Sequence, residues 1–149
     1  MYVSWKFFRE EIKKYIVSNN IIMKKPILTS SAPEPIGPYN QAIQYENMIF
    51  VSGQIPLNPD DGNLIGSGIK DETRQVMENI KAVLEEGGFS MEDIVKTSIF
   101  LKSMENFGAV NEEYGTYFSS CIPPARETVE VSKLPLDVNV EISCIAIKK

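Results

Sequence analysis

Two charged residues in the last quarter of the chain are the strongest candidates for chemistry. Arg126 opens a β-prone run over residues 125–131, and Glu141 sits inside a second run over residues 138–147. Each stands among apolar neighbours. A guanidinium and a carboxylate on adjacent strands are costly to desolvate unless they pair or hold a ligand. The chain contains no histidine, which removes Ser-His-Asp and Cys-His nucleophilic machinery. Cys121 and Cys144 alone cannot complete a tetrahedral zinc site. Catalysis must then come from Glu/Asp, Tyr, Arg, Lys, Ser/Thr, backbone amides or bound water. The two cysteines form no CxxC and read as small buried apolar residues in a reducing, cytoplasmic setting.

Composition narrows the setting further. The 149 residues suffice for one domain with a real core, and 43% of them are hydrophobic, so disorder is not expected. No apolar run approaches the length of a membrane span. The formal net charge is −5, with no basic cluster beyond Lys13-Lys14 and Lys24-Lys25. That balance disfavours nucleic acid as a partner.

The elements that must position the charged pair follow from periodicity. Residues 1–22 carry Trp5, Phe8, Ile12 and Tyr15 at helical spacing, which predicts an amphipathic extension outside the core domain of residues 23–149. A helix for a partner or a membrane surface is the alternative for this segment. Ile36-Gly37-Pro38-Tyr39 is a turn. Residues 41–45 and 48–54 read as a hairpin about Glu46-Asn47. Residues 71–86 form the clearest helix, with Val76, Ile80, Val83 and Leu84 in one stripe and Gly87-Gly88 at its end. A strand over 94–101, a helix over 107–118 and strands near 125–131 and 138–147 complete the order β-β-α-β-α-β-β. A single sheet with two helices on one face is the simplest α+β architecture. The last strand is apolar on both faces, with Val138, Val140, Ile142, Cys144 and Ala146 on one and Ile145 and Ile147 on the other. Two helices cover only one face, so a homo-oligomer is expected.

Several ordered motifs then coincide: Ile36-Gly37-Pro38-Tyr39, the run from Met48 through Ser52-Gly53-Gln54-Ile55-Pro56, Asp93-Ile94-Val95-Lys96-Thr97, Val110-Asn111, Pro123-Pro124-Ala125-Arg126, Leu134-Pro135 and Val140-Glu141-Ile142. Across roughly residues 24–149 the chain resembles the RidA/YjgF, or reactive intermediate deaminase, family. The resemblance implies a chorismate-mutase-like α+β fold and a homotrimer with a site in each cleft between neighbouring subunits. The implied activity is hydrolysis of 2-imino acids and their enamine tautomers, such as 2-iminobutanoate and 2-iminopropanoate, to 2-keto acids and ammonia. The substrates come from pyridoxal-phosphate-dependent dehydratases, while the deaminase itself uses no cofactor or metal.

The same resemblance assigns roles. Arg126 grips the substrate carboxylate through two parallel bonds, which its fork suits; a structural salt bridge to Glu127, Glu130 or a neighbouring subunit is the alternative. Glu141 activates the attacking water, its pKa raised by partial desolvation; an ion pair with Arg126 or a lysine is the alternative. Tyr39 joins them as a catalytic candidate, against simple packing of its ring. Ser52 and Gly53 supply a hydroxyl and an amide at a strand end, where Gly also permits a bulge. Asn111 contacts the ligand from the second helix, or merely serves as a local cap. Many deaminases of the family carry a small residue and then Cys after the arginine. Here Glu127 and Thr128 stand there, and alternation puts Thr128 on the face of Arg126. Two other functions compete: a non-catalytic module binding small carboxylates, and an RNA-directed translation inhibitor or endoribonuclease, which the acidic balance disfavours.

Overall fold

Six strands and two helices organise residues 24–149, the part of the chain that this computed structural model describes. The extension expected over residues 1–22 lies outside the described residues. In chain order the elements are β1 (Lys24–Ile27), β2 (Ala42–Tyr45), β3 (Met48–Gln54), α1 (Ile69–Glu86), β4 (Ile94–Leu101), α2 (Phe107–Thr116), β5 (Ala125–Glu130) and β6 (Val140–Ile147). The strand β1 is absent from the sequence-based order. Its four residues are short and contain Pro26, yet they form an edge strand against β2. At an edge the missing proline N–H costs no central ladder bond.

The helix α1 forms because its apolar residues recur on one side. Val76, Met77, Ile80, Val83 and Leu84 are fully buried. Asp71 and Glu72 occupy its first turn, where the helix dipole favours carboxylates. It stops at Gly87-Gly88: Gly88 takes φ 72°, and the Phe89 N–H donates to the Leu84 carbonyl at 2.8 Å. These are the marks of a left-handed helix terminus.

The sheet runs β1-β2-β3-β6-β4-β5. The pair β4–β5 is parallel, joined across α2, and the other neighbours are antiparallel. One face carries both helices and the core, where Ile49, Val51, Ile99, Leu101, Val140, Ile142 and Cys144 meet Val76, Ile80, Val83 and Leu84. Cys144 is part of that core, and burial pushes its thiol up to about 12, as expected for an inert small apolar residue.

This topology corrects one expectation. Arg126 and Glu141 are not on adjacent strands, because β4 lies between β5 and β6. They are also on opposite faces. Ile99 pairs with both Thr128 and Ile142, whereas Phe100 pairs with both Val129 and Glu141. Cross-strand partners project to the same side. Arg126 and Thr128 therefore share the helix-covered face of Ile142, and Glu141 shares the open face of Phe100. An ion pair between Arg126 and Glu141 of one chain is excluded.

The open face carries large apolar side chains at its two ends, separated by the polar Ser98, Ser143 and Glu127. Phe50, paired with Ile145, and Val129, paired with Phe100, are each 42% exposed. Large apolar side chains left half-exposed on a face that neither helix covers favour association with a second surface. The expected outcome in solution is a mass of several times 16.8 kDa by light scattering at micromolar concentration; a monomeric mass would leave this face without the inferred cover.

Candidate active site

The helix-covered half of the candidate site is built around Arg126. The edge strand β5 places its side chain beside α2, where Phe107, Asn111 and Tyr114 follow one another at i, i+4 and i+7 and so share a helix face. Arg126 Nη1 donates to Asn111 Oδ1 at 2.9 Å. The guanidinium carbon lies 5.1 Å from the Tyr114 ring centre and 5.8 Å from that of Phe107, within cation–π range. Tyr114 is itself fixed by a 2.8 Å hydrogen bond between its hydroxyl and Thr97. The two intrachain carboxylates that could have neutralised Arg126 are occupied elsewhere. Glu130 accepts from the Met104 N–H at 2.7 Å, and Glu127 faces Lys96 and Ser98 on the other side of the strand. Among the described residues no carboxylate pairs with Arg126, so most of its donors remain available. Two residues on, the Thr128 hydroxyl is buried and has no hydrogen-bond partner among the described residues. Such an atom either costs stability or meets a ligand.

The open-face half is built around Glu141. Between Val51 and Gln54 the pairing of β3 with β6 slips, and Gly53 falls in that irregularity. A Cβ on Gly53 would lie 1.9 Å from Glu141 Oε1 and 2.8 Å from its Cδ. The carboxyl group thus lies directly over the glycine, in space that any other residue would fill. Among the described residues nothing donates to it or pairs with it. Burial pushes the Glu141 carboxyl above its ordinary value, since desolvation penalises the anion. In linkage terms a raised carboxyl pKa favours the fold below the unfolded value. That contribution is lost as pH rises through the folded value.

Tyr39 approaches the same strand end from the preceding loop. Its N–H donates to the Gly37 carbonyl at 2.9 Å, closing a tight turn, and its hydroxyl accepts from the Ile36 N–H at 3.4 Å. The phenolic proton stays free to donate, and the ring is 45% exposed. Ser52 is engaged structurally: its hydroxyl donates to the Asn40 carbonyl at 2.7 Å, and its N–H to the Gln41 carbonyl at 2.9 Å. These bonds tie the Tyr39 loop to β3. Within one chain, Arg126, Asn111 and Thr128 come together, and Tyr39, Ser52, Gly53 and Glu141 come together, but the two groups do not meet.

Sequence reasoning missed three supports. Phe107 and Tyr114 flank the guanidinium, and their spacing about Asn111 was the available signal. Gln41 was read only as part of a strand. It is buried, and its amide donates to the carbonyls of Thr29, Ala32 and Pro33 at 2.9–3.0 Å while accepting from the Thr29 N–H at 2.7 Å. It thereby folds the loop that delivers Tyr39. No local pattern marks a glutamine for that task.

The family model described as Endoribonuclease L-PSP matches residues 29–148. A RutC family protein of Pyrococcus horikoshii is 51% identical over 127 residues, spanning 85% of this chain and all of the relative. The chain belongs to the RidA/YjgF family. An Escherichia coli 2-iminobutanoate/2-iminopropanoate deaminase is 43% identical over 129 residues, again covering 85% of this chain and 100% of the relative. Among solved RidA-family structures, the YjgF gene product of E. coli superposes with a TM-score of 0.81 at 42% identity, covering 84% of this chain and 99% of that one. E. coli TdcF with bound serine gives a TM-score of 0.82 at 38% identity, covering 84% and 99%. The single mixed sheet with two helices on one face is the chorismate-mutase-like fold of this family. Among the described residues no helix is long and apolar enough to cross a membrane.

The overlap between Gly53 and Glu141 yields a specific expectation for this RidA-family chain. In Gly53→Ala the methyl group meets the mobile end of a side chain, so the carboxylate swings aside and the fold survives. Stability should fall by only about 1 kcal/mol by denaturant titration. A loss of several kcal/mol, or a crystal structure of the variant with Glu141 unmoved, would contradict this packing.

Proposed function

We propose that the chain is a hydrolytic deaminase of small 2-imino acids, working at a site shared between neighbouring subunits of a homotrimer. The observation that carries this reading is the separation of Arg126 and Glu141 onto opposite faces of one sheet. A ligand that needs both an anion anchor and a base can meet them only if one chain offers its Arg126 half and a second chain offers its Glu141 half. The large apolar side chains on the open face supply a reason for the chains to associate. The relatives support the chemistry: one at 43% identity is named a 2-iminobutanoate/2-iminopropanoate deaminase, and another was solved with serine, itself a small carboxylate.

The residues act as follows. The free donors of Arg126 take the substrate carboxylate as a bidentate pair, with Asn111 and the two rings fixing the plane of the fork. Glu141 of the neighbour accepts a proton from water as its oxygen attacks the imine carbon. The C–O bond forms as the C=N π pair moves to nitrogen, which takes up a proton. The resulting carbinolamine then collapses to the 2-keto acid, and ammonia leaves. Net, R–C(=NH)–COO⁻ and H2O give R–CO–COO⁻ and NH3. The raised pKa of Glu141 brings its basicity closer to working pH, where a general base is most effective. The Tyr39 hydroxyl is placed to donate to the reacting nitrogen or to water. In this reading the Thr128 hydroxyl, unpartnered among the described residues and on the same face as Arg126, meets the ligand beside the guanidinium. No covalent enzyme intermediate is required; holding water and imine together supplies the acceleration.

Four measurements test the proposal. Arg126→Lys keeps the charge but loses the fork, so KM for 2-iminobutanoate should rise roughly 10- to 100-fold, the value of a charge-assisted bond. Unchanged kinetics would refute the clamp. Glu141→Gln should lower kcat by about 10²- to 10⁴-fold. In the wild type, kcat/KM should fall as pH drops, because protonated Glu141 cannot accept a proton. The midpoint should lie above the ordinary carboxylate value of 4.5, and this acid limb should vanish in Glu141→Gln. Finally, Arg126→Ala and Glu141→Gln chains, each inactive alone, should regain roughly a quarter of wild-type activity when randomly co-assembled, because that fraction of interfaces joins two intact halves. Absence of complementation would place both residues' action within one chain, which the fold forbids, and would sink the shared site.

A further inference from the structure

We propose that the small cavity beside Tyr39 and Gly53 receives the side chain of an aliphatic 2-imino acid, and that Leu136 biases the enzyme toward chains longer than methyl. This inference rests on the deaminase reading above and adds its substrate preference.

The cavity is walled by Pro33, Ile36, Ile55, Leu57 and Leu136. Its volume is about 40 Å³, enough for roughly three small groups of water or methylene size. Tyr39 and Gly53 line it too, and Gly53 is the residue that Glu141 covers. A substrate whose reacting carbon lies by Glu141 therefore has this cavity as its neighbour across one glycine. The amide donors at its back are already engaged. The Gln41 amide is bound to the backbone of Thr29, Ala32 and Pro33, and Gln54 donates to the Ser52 carbonyl at 3.2 Å. One wall is pinned from behind, since Asn79 of α1 donates to the carbonyls of Ile55 and Leu57 at 3.1 and 3.0 Å. The space is apolar and held open by backbone bonds. The exposed Glu34 at its margin disfavours acidic side chains.

Leu136 is the unusual member. Its φ and ψ are 52° and 19°, and Asp137 follows at φ 59°. Two successive non-glycine residues in the left-handed region are strained. The turn is held by Asp137 Oδ2 against Lys102 Nζ at 3.0 Å and by N–H bonds from Asp137 to Leu134 and from Val138 to Pro135. This strain buys no burial, for Leu136 is 55% exposed and Ile36 opposite is 72% exposed. A strained backbone that turns an apolar side chain toward a cavity fits a ligand contact.

The test compares imines generated by an L-amino acid oxidase from alanine, 2-aminobutyrate, norvaline and serine. For the wild-type protein kcat/KM should rise about fourfold per added methylene along the first three, and the serine-derived imine should gain nothing over the alanine-derived one. Leu136→Asn replaces the apolar wall with a residue that tolerates the left-handed backbone, and it should flatten the series. Equal kcat/KM across the three aliphatic imines in the wild type overturns the subsite while leaving the deaminase reading intact. An undiminished slope in Leu136→Asn overturns the role of Leu136. Failure to accelerate any of the four imines overturns the deaminase reading, and the subsite with it.

Discussion

A β-strand gives each side chain only two directions, and the hydrogen-bonded register passes that choice to the next strand. In this sheet the register runs from β5 through β4 to β6 without a slip at the residues concerned: Thr128, Ile99 and Ile142 on one side, Val129, Phe100 and Glu141 on the other. Arg126 therefore faces the helices and Glu141 faces away from them. No rotamer change can reunite them through the sheet. The proposed chemistry, which needs an anchor and a base on one ligand, is thereby bound to association of the chain with its own copies.

Each half is held by its own local scaffold. On the helix side, one face of α2 supplies an amide oxygen and two aromatic rings to a single guanidinium, leaving most of its donors unused. On the open side, a glycine in a strand irregularity makes room for a carboxyl group. The loop carrying Tyr39 is tied down by Ser52 and by the buried Gln41. Among the described residues, neither half compensates its central charge. Uncompensated groups in partly desolvated positions are a cost to the isolated fold, and such costs concentrate where ligands bind.

Much of the architecture was legible because it is local. The stripe of α1 and its glycine stop, the hairpin about Glu46-Asn47, and the alternation of β6 each lie within a short stretch of chain. The apolar residues on both faces of β6 correctly indicated a sheet with one side unprovided for by the two helices. The strand β1 was missed because four residues with a proline carry little strand signal on their own; pairing with β2 makes the strand. Among the site residues, placing Thr128 with Arg126 followed from alternation alone. Phe107, Tyr114 and Gln41 were not singled out, since their roles depend on contacts distant in sequence or on a loop's path.

What the amino-acid order determined by itself was every element except the short edge strand β1, the alternation of side chains along each recognised strand, and the chemical types available without histidine. It also carried enough ordered motifs to point to the RidA/YjgF family. What only the tertiary structure decided was the order of the strands and hence the relation between faces of different strands. Two consecutive strands, β5 and β6, looked like neighbours along the chain, but β4 inserts between them. Periodicity is a property of a few successive residues, whereas pairing is chosen among segments far apart by the burial it achieves for the whole sheet. That non-local choice set Arg126 and Glu141 on opposite faces, and the proposed chemistry draws its second chain from that separation.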